Sequence, residues 1–254
     1  MLVDANENFQ KDRPLMDELN ANPDAVRVLL IGEIRELNGH HPEYMTLNDY
    51  RQQEVADILM FVLSLAESLQ IDLREKQILK LSEAVYRSYG IRPVAIGQPL
   101  ALAKDFDEHA AEQYEGMKRG LAERANRLEM TELTKKHKVE IRAILEGIVS
   151  DCFALYALLQ VNPIRATLEK IMRNILKYQP KYFQITDDIR EMRDQPEYYL
   201  KVRQVYAARR QLSVAAFDGE KDPVTKQRPE TGSRDFYQGD APMIEYFKNQ
   251  GGLR

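Results

Sequence analysis

Cysteine is almost absent from the sequence, and this excludes two kinds of site. Cys152 is the only cysteine among 254 residues. No disulfide can therefore form within the chain, and no cysteine-rich metal site can be built. Because Cys152 lies in an apolar stretch, we expect a buried structural thiol there. A reducing cytoplasm is the expected compartment.

Long apolar segments are missing as well. The longest run, ILMFVLSLA, stops at Glu67 and is far shorter than the roughly 20 residues that cross a bilayer. The first ten residues, MLVDANENFQ, lack the basic stretch followed by an apolar one that marks a signal peptide. The sequence therefore predicts no membrane partner and no targeting segment.

Neither a basic excess nor a glycine-rich phosphate loop is present. Thirty-six Lys and Arg face 40 Asp and Glu, for a formal charge of −4, so no bulk positive field attracts a nucleic acid. The motifs GxxxxGK[ST] and GxGxxG are absent, which excludes P-loop enzymes and Rossmann nucleotide binders. The composition, 44% hydrophobic and 30% charged, is that of a globular protein.

The sequence does contain a succession of helix signals. Residues 22–24, Asn-Pro-Asp, combine a cap, a first-turn proline and an acid, and they predict a helix of about fifteen residues that ends at the Asn-Gly of 38–39. Thr46 with Asp49 forms a capping box that opens the next helix, which carries an apolar stripe. A further helix is predicted from 72 to 90, where Gly90 ends it.

A second helical block follows the connector GIRPVAIGQPL, which has two glycines and two prolines. Its helices are predicted in 107–128, 138–160 and 162–180, and another helix from about 186 to 214. Strict alternation typical of a β-strand is not sustained anywhere, so the predicted class is all-α, a helical bundle. The predicted units are 1–90 with the metal site, 91–183 as a degenerate repeat, 184–214 as an additional helix, and 215–254 as an irregular tail or arm.

The two blocks resemble each other in sequence. EVADILMFVLSLAESLQID with LREKQILKLSEAVYRSYG is similar to IVSDCFALYALLQVNP with IRATLEKIMRNILKYQP, which indicates an internal duplication. Amphipathic helices can also resemble one another by pattern alone. The alignment places Asp57 over Asp151, Lys80 over Lys170 and Arg87 over Lys177.

Two pairs of carboxylates stand out in the first block. Glu33 and Glu36 are three residues apart on one predicted helix, as are Glu54 and Asp57 on the next. Residues at i and i+3 are neighbours on a helix surface, so two packed helices can bring the four acids together. Such a group repels itself unless a cation lies between, and magnesium prefers oxygen ligands. Solvent-facing acids are the alternative interpretation.

These residues resemble a known family, the all-α nucleoside triphosphate pyrophosphohydrolases. This MazG-like superfamily also includes dimeric dUTPases and phosphoribosyl-ATP pyrophosphohydrolase. Its Glu-x-x-Glu helix followed by Glu-x-x-Asp matches IGEIREL and QEVADILMFVLSLAESLQIDL here. Its helix of the form Lys-x-x-x-Asn-x-x-Arg/Lys-Tyr matches EKIMRNILKYQP in the second block.

The resemblance implies hydrolysis of the α–β phosphoanhydride of a nucleoside triphosphate, with magnesium, or manganese as its substitute, held by the four acids. Glu36 is the preferred general base, with Glu33 beside it as a catalytic group. A homodimer is expected because family members usually complete their bundle by dimerising, although an internal duplication could complete it within one chain. The implied substrate-binding residues are Lys80, Arg87, Lys170, Asn174 and Lys177.

The chain departs from the family pattern at several positions. Gly32 stands where many members have a second Glu before the first motif acid, and Ile148 replaces the Glu of the second block's Glu-x-x-Asp, although Glu112 and Glu115 could supply its first acid pair. The second block is therefore expected to have lost most of its own metal site. Since the first block keeps the acids and the second keeps Lys170 and Asn174, we expect a composite site.

Two other functional classes are compatible with the sequence. A helical interaction or regulatory protein that keeps the fold without turnover would explain Gly32 and the incomplete second block. A ferritin-like di-iron protein would need Glu-x-x-His pairs, and the sequence has none. The enzyme is the preferred interpretation because its four acids are intact.

Overall fold

The protein is all-α, as predicted. A computed structural model describes residues 9–11, 13–37, 47–73, 80, 83, 87, 108–195 and 197–219. Among those residues none lies in a β-strand. Within the same ranges, no helix combines the length and apolar character needed to span a bilayer.

The helices of the described ranges follow the predicted order along the chain. They are α1 (Pro14–Asn20), α2 (Pro23–Glu36), α3 (Leu47–Ser68), α4 (Glu108–Met130), α5 (Lys138–Leu158), α6 (Pro163–Lys177), α7 (Asp187–Glu191) and α8 (Tyr198–Gly219). Short 3-10 helices, Lys135–His137 and Pro180–Tyr182, precede α5 and follow α6.

The predicted start of α2 is confirmed. The Asn22 side-chain oxygen accepts hydrogen bonds from the backbone N–H groups of Asp24 at 3.0 Å and Ala25 at 3.1 Å, and Pro23 occupies the first turn. These bonds satisfy N–H groups that have no partner inside the helix. The predicted stop at 38–39, the capping box at 46–49, the cap after Asp72 and the connector at 90–100 fall wholly or partly outside the described residues.

The prediction of one helix from 186 to 214 was wrong. Helix α7 ends at Glu191, residues 192–194 form a turn, and α8 begins at Tyr198. The sequence has a proline at 196, which lacks a backbone N–H and disfavours helical backbone before it. Helix α8 continues to Gly219, past the predicted start of the tail, and residues 220–254 lie outside the described ranges.

The described chain divides into two units. The bundle unit comprises the described residues of Asn22–His41 and Leu47–Lys170, and the flanking unit comprises those of Met1–Ala21 and Ile171–Arg254. The predicted divisions at 90 and 183 do not coincide with these units, because helices of both predicted blocks share one core.

Four helices of the bundle unit form a closed ring of contacts. Helix α2 packs against α3 and α4, and α5 packs against the same two helices. Exchanging the pair α2–α3 with the pair α4–α5 leaves this contact pattern unchanged. That is the arrangement an internal duplication would give, although the duplication itself stays a prediction.

The core of the bundle unit contains the apolar stripe predicted for α3. Val55, Ile58, Val62 and Leu65 are all fully buried. Cys152 on α5 is buried in the same core, as expected for a structural thiol. Burial raises the pKa of this thiol well above its usual range, so the folded protein keeps it protonated and unreactive.

The flanking unit is organised around a buried arginine. Arg13, 1% exposed, donates hydrogen bonds to the backbone oxygens of Phe9 at 2.8 Å, Ile175 at 3.1 Å and Tyr178 at 2.7 Å. Two of these carbonyls lie at the end of α6, where helical carbonyls lack partners within the helix. The guanidinium therefore satisfies the end of α6, and Phe183 packs edge-on against Tyr178 beside it.

Candidate metal centre

Helices α2 and α3 bring the first-block acids to one place. Glu33 and Glu36 occupy the last turns of α2, and Glu54 lies in the first half of α3. One carboxylate oxygen from each of these three residues lies within 4.8 Å of the others. The hydroxyl of Tyr50 donates a 2.8 Å hydrogen bond to the Glu36 backbone oxygen, which holds the end of α2 against the start of α3.

Two of these carboxylates are buried, and this perturbs their protonation. Glu33 is 9% exposed and Glu54 8%, whereas Glu36 faces solvent. Burial, followed by the charges of Asp57, Glu36 and Glu54, raises the pKa of Glu33 from 4.5 to about 9, against the opposing effect of Lys170. Near pH 7, without a bound cation, Glu33 therefore retains its proton. A bound cation would offset the same negative charges that raise this pKa.

The fourth predicted acid, Asp57, is held by an ion pair. Its Oδ2 lies 2.6 Å from the Nζ of Lys170, and the two side chains are only 17% and 13% exposed. Lys170 comes from α6 in the second predicted block, so the structure joins a cation of one block to the acids of the other. The sequence did not predict this ion pair, and the composite site stays a prediction.

The donor set fits a hard divalent cation. Magnesium binds carboxylate oxygens at about 2.0–2.1 Å, so its ligands lie up to about 4.2 Å apart, and calcium accepts a wider cage. Small side-chain rotations would bring the oxygens of Glu33, Glu36 and Glu54 from within 4.8 Å to that spacing. Within the described part of the chain, no histidine or cysteine joins this cluster, so soft-metal chemistry has no ligands here.

The structure adds three residues near the acids that sequence reasoning did not assign to phosphate binding. Arg51 lies with its Cζ 4.2 Å from the ring centroid of Tyr114, and the Nζ of Lys118 lies 5.5 Å from the same centroid. Arg51 precedes Glu54 by three residues on α3, which makes the two side chains neighbours and places this group beside the acid cluster. Helical spacing could therefore have identified Arg51.

The other predicted substrate-binding residues are placed differently. Lys80 and Arg87 are both exposed, and Arg87 lies 3.9 Å from Glu83 in an ion pair. Asn174 is buried and Lys177 half-buried, and both belong to the flanking unit. A role for these four residues in the site stays a prediction.

The second half of the ring has an ion pair at the position that aligns with Asp57. Asp151, which aligns with Asp57, lies 3.4 Å from Nε of Arg124. Burial raises the pKa of Asp151 to about 6, and the charge of Arg124 opposes this increase. Gly147 makes room for the pair, since a Cβ there would lie 2.2 Å from the Arg124 Nε. Glu112 and Glu115 are exposed, and Glu115 pairs with Lys118 at 2.9 Å.

Gly32 departs from the family pattern without a steric cause. Among the described residues, no heavy atom beyond its chain neighbours and its own helix backbone lies within 4 Å of the position that a Cβ would take. Packing around that position in the described part of the chain therefore does not require a glycine.

No protein-family model, curated protein or solved structure matches this chain. The MazG-like resemblance rests on the motif residues of α2, α3 and α6.

Proposed function

We propose that this chain is a magnesium-dependent nucleoside triphosphate pyrophosphohydrolase of the MazG-like kind, which yields a nucleoside monophosphate and pyrophosphate. The observation that carries the proposal is the convergence of Glu33, Glu36 and Glu54 at a buried point beside the Asp57–Lys170 ion pair. A cluster of three carboxylates with two of them buried is costly without a cation. Packing of a structural core does not require such a carboxylate cluster.

The residues have distinct roles in this reaction. Magnesium, when bound, neutralises phosphate oxygens and makes a coordinated water more acidic. Glu33, Glu36 and Glu54 would hold it, with Asp57 as the fourth acid beside them. Exposed Glu36 takes the proton of the attacking water as the water oxygen bonds to the α-phosphorus. The bond from this phosphorus to the bridging oxygen breaks, and pyrophosphate leaves with the bonding electrons.

Lys170 supports the composite site expected from the two blocks. Its ammonium lies against Asp57, and a phosphate oxygen is the other anion that such a group binds well. When a cation occupies the acids, Lys170 can turn from Asp57 to the substrate. The predicted homodimer and the use of manganese in place of magnesium remain part of the proposal.

A catalytically silent regulatory protein is the second candidate. The observation that favours it is the same ion pair, since Lys170 already neutralises Asp57 at 2.6 Å without a metal. In this case the cluster would bind magnesium and nucleotide without turnover. The two candidates differ only in product formation, so a product assay separates them.

The experiment is an assay of pyrophosphate and orthophosphate release from canonical and modified nucleoside triphosphates, with magnesium or with chelator. We expect pyrophosphate from at least one substrate, and a decrease of at least about 100-fold in Glu54→Gln. Glu123→Gln is the matched control, because Glu123 is an exposed acid on α4. It should retain wild-type turnover.

Silence across the panel from folded protein whose melting temperature rises with magnesium would favour the regulatory candidate. Release of orthophosphate alone would mean that a different phosphoanhydride is cleaved. Turnover that persists in chelator would contradict the role of the acids.

A further inference from the structure

We infer that Arg51 and Lys118, both held against the ring of Tyr114, form an anion subsite that binds the terminal phosphates of the substrate next to the acid cluster. The inference rests on the proposed function and deepens it, since it names the part of the chain that distinguishes a triphosphate from shorter phosphates. It concerns residues of α3 and α4 in the bundle unit.

The position of Arg51 follows from helical spacing. Arg51 lies three residues before Glu54 on α3, so the two side chains are neighbours on the helix surface, one turn apart. The Nη1 of Arg51 donates to the Asn48 side chain at 3.3 Å, and its Cζ lies 4.2 Å from the centroid of Tyr114.

Tyr114 and Lys118 are one turn apart on α4, so a single ring can hold two cations. Tyr114 is 1% exposed, and the side chain of Lys118 is only 15% exposed. Cations over an aromatic face are attracted by its quadrupole. Both charges are thus kept at fixed positions inside the bundle unit and are not dispersed in solvent.

The electrostatics of Tyr114 connect this group to the acids. Burial raises its pKa to about 12, Arg51 opposes the increase, and Glu115 and Glu54 add to it. The geometry gives the same connection, because Arg51 contacts the Tyr114 ring at 4.2 Å and is an i,i+3 neighbour of Glu54 on α3.

A triphosphate with a bound divalent cation carries both kinds of charge that this arrangement recognises. The cation suits the carboxylates, but phosphate oxygens brought to the same place would be repelled by them. Arg51 offers a planar fork of donors that matches a phosphate, and Lys118 offers a point charge. A substrate with fewer phosphates would not extend to Arg51 and Lys118, and Lys118 would keep its ion pair with Glu115 at 2.9 Å.

A competing explanation is that Arg51 only balances the charge of the acids. The two explanations predict different effects of Arg51→Gln on phosphate binding. If Arg51 is a counter-charge, its loss should tighten binding of magnesium and leave phosphate binding to other groups. If it belongs to an anion subsite, its loss should weaken phosphate binding and should not weaken the affinity for magnesium.

The test is calorimetric titration of the full chain with magnesium chloride, and then with inorganic tripolyphosphate at saturating magnesium. We expect Arg51→Gln to weaken tripolyphosphate binding by about tenfold or more, with magnesium affinity equal to or above that of wild type. Arg51→Lys should show a smaller loss because it keeps the charge. Arg119→Gln, which removes an exposed arginine of α4, should match wild type in both titrations.

Unchanged tripolyphosphate affinity in Arg51→Gln would overturn the subsite. A folded variant that loses magnesium binding as well would also overturn it, because Arg51 would then shape the acid cluster. If Arg51→Gln fails to fold, the same two titrations of Lys118→Met decide. Tripolyphosphate binding that depends on Arg51, without pyrophosphate release from any nucleotide, would support the subsite and refute the hydrolase. Pyrophosphate release by the wild type, with unchanged tripolyphosphate affinity in Arg51→Gln, would support the hydrolase and refute the subsite.

Discussion

Replacing Glu33 by glutamine should make the metal-free protein more stable than wild type above pH 7. The pKa of Glu33 is about 9 in the folded protein, against 4.5 ordinarily. Between these values the folded state holds a proton that the unfolded state has lost, so the free energy of unfolding of wild type falls as the pH rises. Glutamine has no proton to lose. We expect the difference between the two proteins to grow by about 2–4 kcal/mol from pH 5 to pH 8.

Urea denaturation of both proteins in chelator, from pH 5 to pH 9, measures this difference. Glu123→Gln is again the control and should follow the wild-type curve. Magnesium binding should release about one proton per site near pH 7, because only ionised Glu33 is a ligand. Calorimetry in two buffers of different ionisation enthalpy measures that proton. Parallel stability curves for wild type and Glu33→Gln would show that Glu33 is ionised throughout.

Replacing Lys170 by methionine should destabilise the metal-free protein by about 3 kcal/mol, because it leaves the largely buried Asp57 carboxylate without its cation. The side chains of this ion pair are 13% and 17% exposed, so water cannot solvate the carboxylate fully. Adding magnesium should recover more stability in this variant than in wild type, since a divalent cation can take over the charge of Asp57. Chemical denaturation with and without magnesium measures both effects.

The double variant Lys170→Met with Asp57→Asn tests the cause of this loss. It should recover most of the lost stability in chelator and should lose the additional response to magnesium. Lys135→Met, at an exposed lysine before α5, should change stability by less than about 0.5 kcal/mol. Equal destabilisation in the single and double variants would assign the effect to lost packing of the lysine stem.

Local signals in the sequence predicted much of the fold and the acid half of the site. The cap at Asn22 and the apolar stripe of α3 are local features, since each depends on residues within a few helical turns. The pairing of Glu33 with Glu54 needed one further assumption, that consecutive helices pack together. This assumption holds for most short connections.

The cationic half of the site was harder to predict because it depends on contacts distant in the sequence. Lys170 meets Asp57 across 113 positions, and the family motif indicated its importance without giving its partner. The sequence places Arg51 one helical turn from Glu54 on α3. Its contact with Tyr114 of α4 is what distinguishes it from a solvated surface arginine. The break between α7 and α8 was local, and attention to Pro196 would have predicted it.

The single buried thiol, Cys152, can report directly on opening of the bundle unit. Cys152 is 0% exposed in the core shared by α2, α3, α4 and α5, and the sequence has no second cysteine to react in its place. An alkylating reagent can therefore reach sulfur only when the bundle unit opens, and its reaction rate measures how often this happens. Labelling rates with and without magnesium would give the contribution of the metal to native-state opening, without denaturant, dye or an engineered probe.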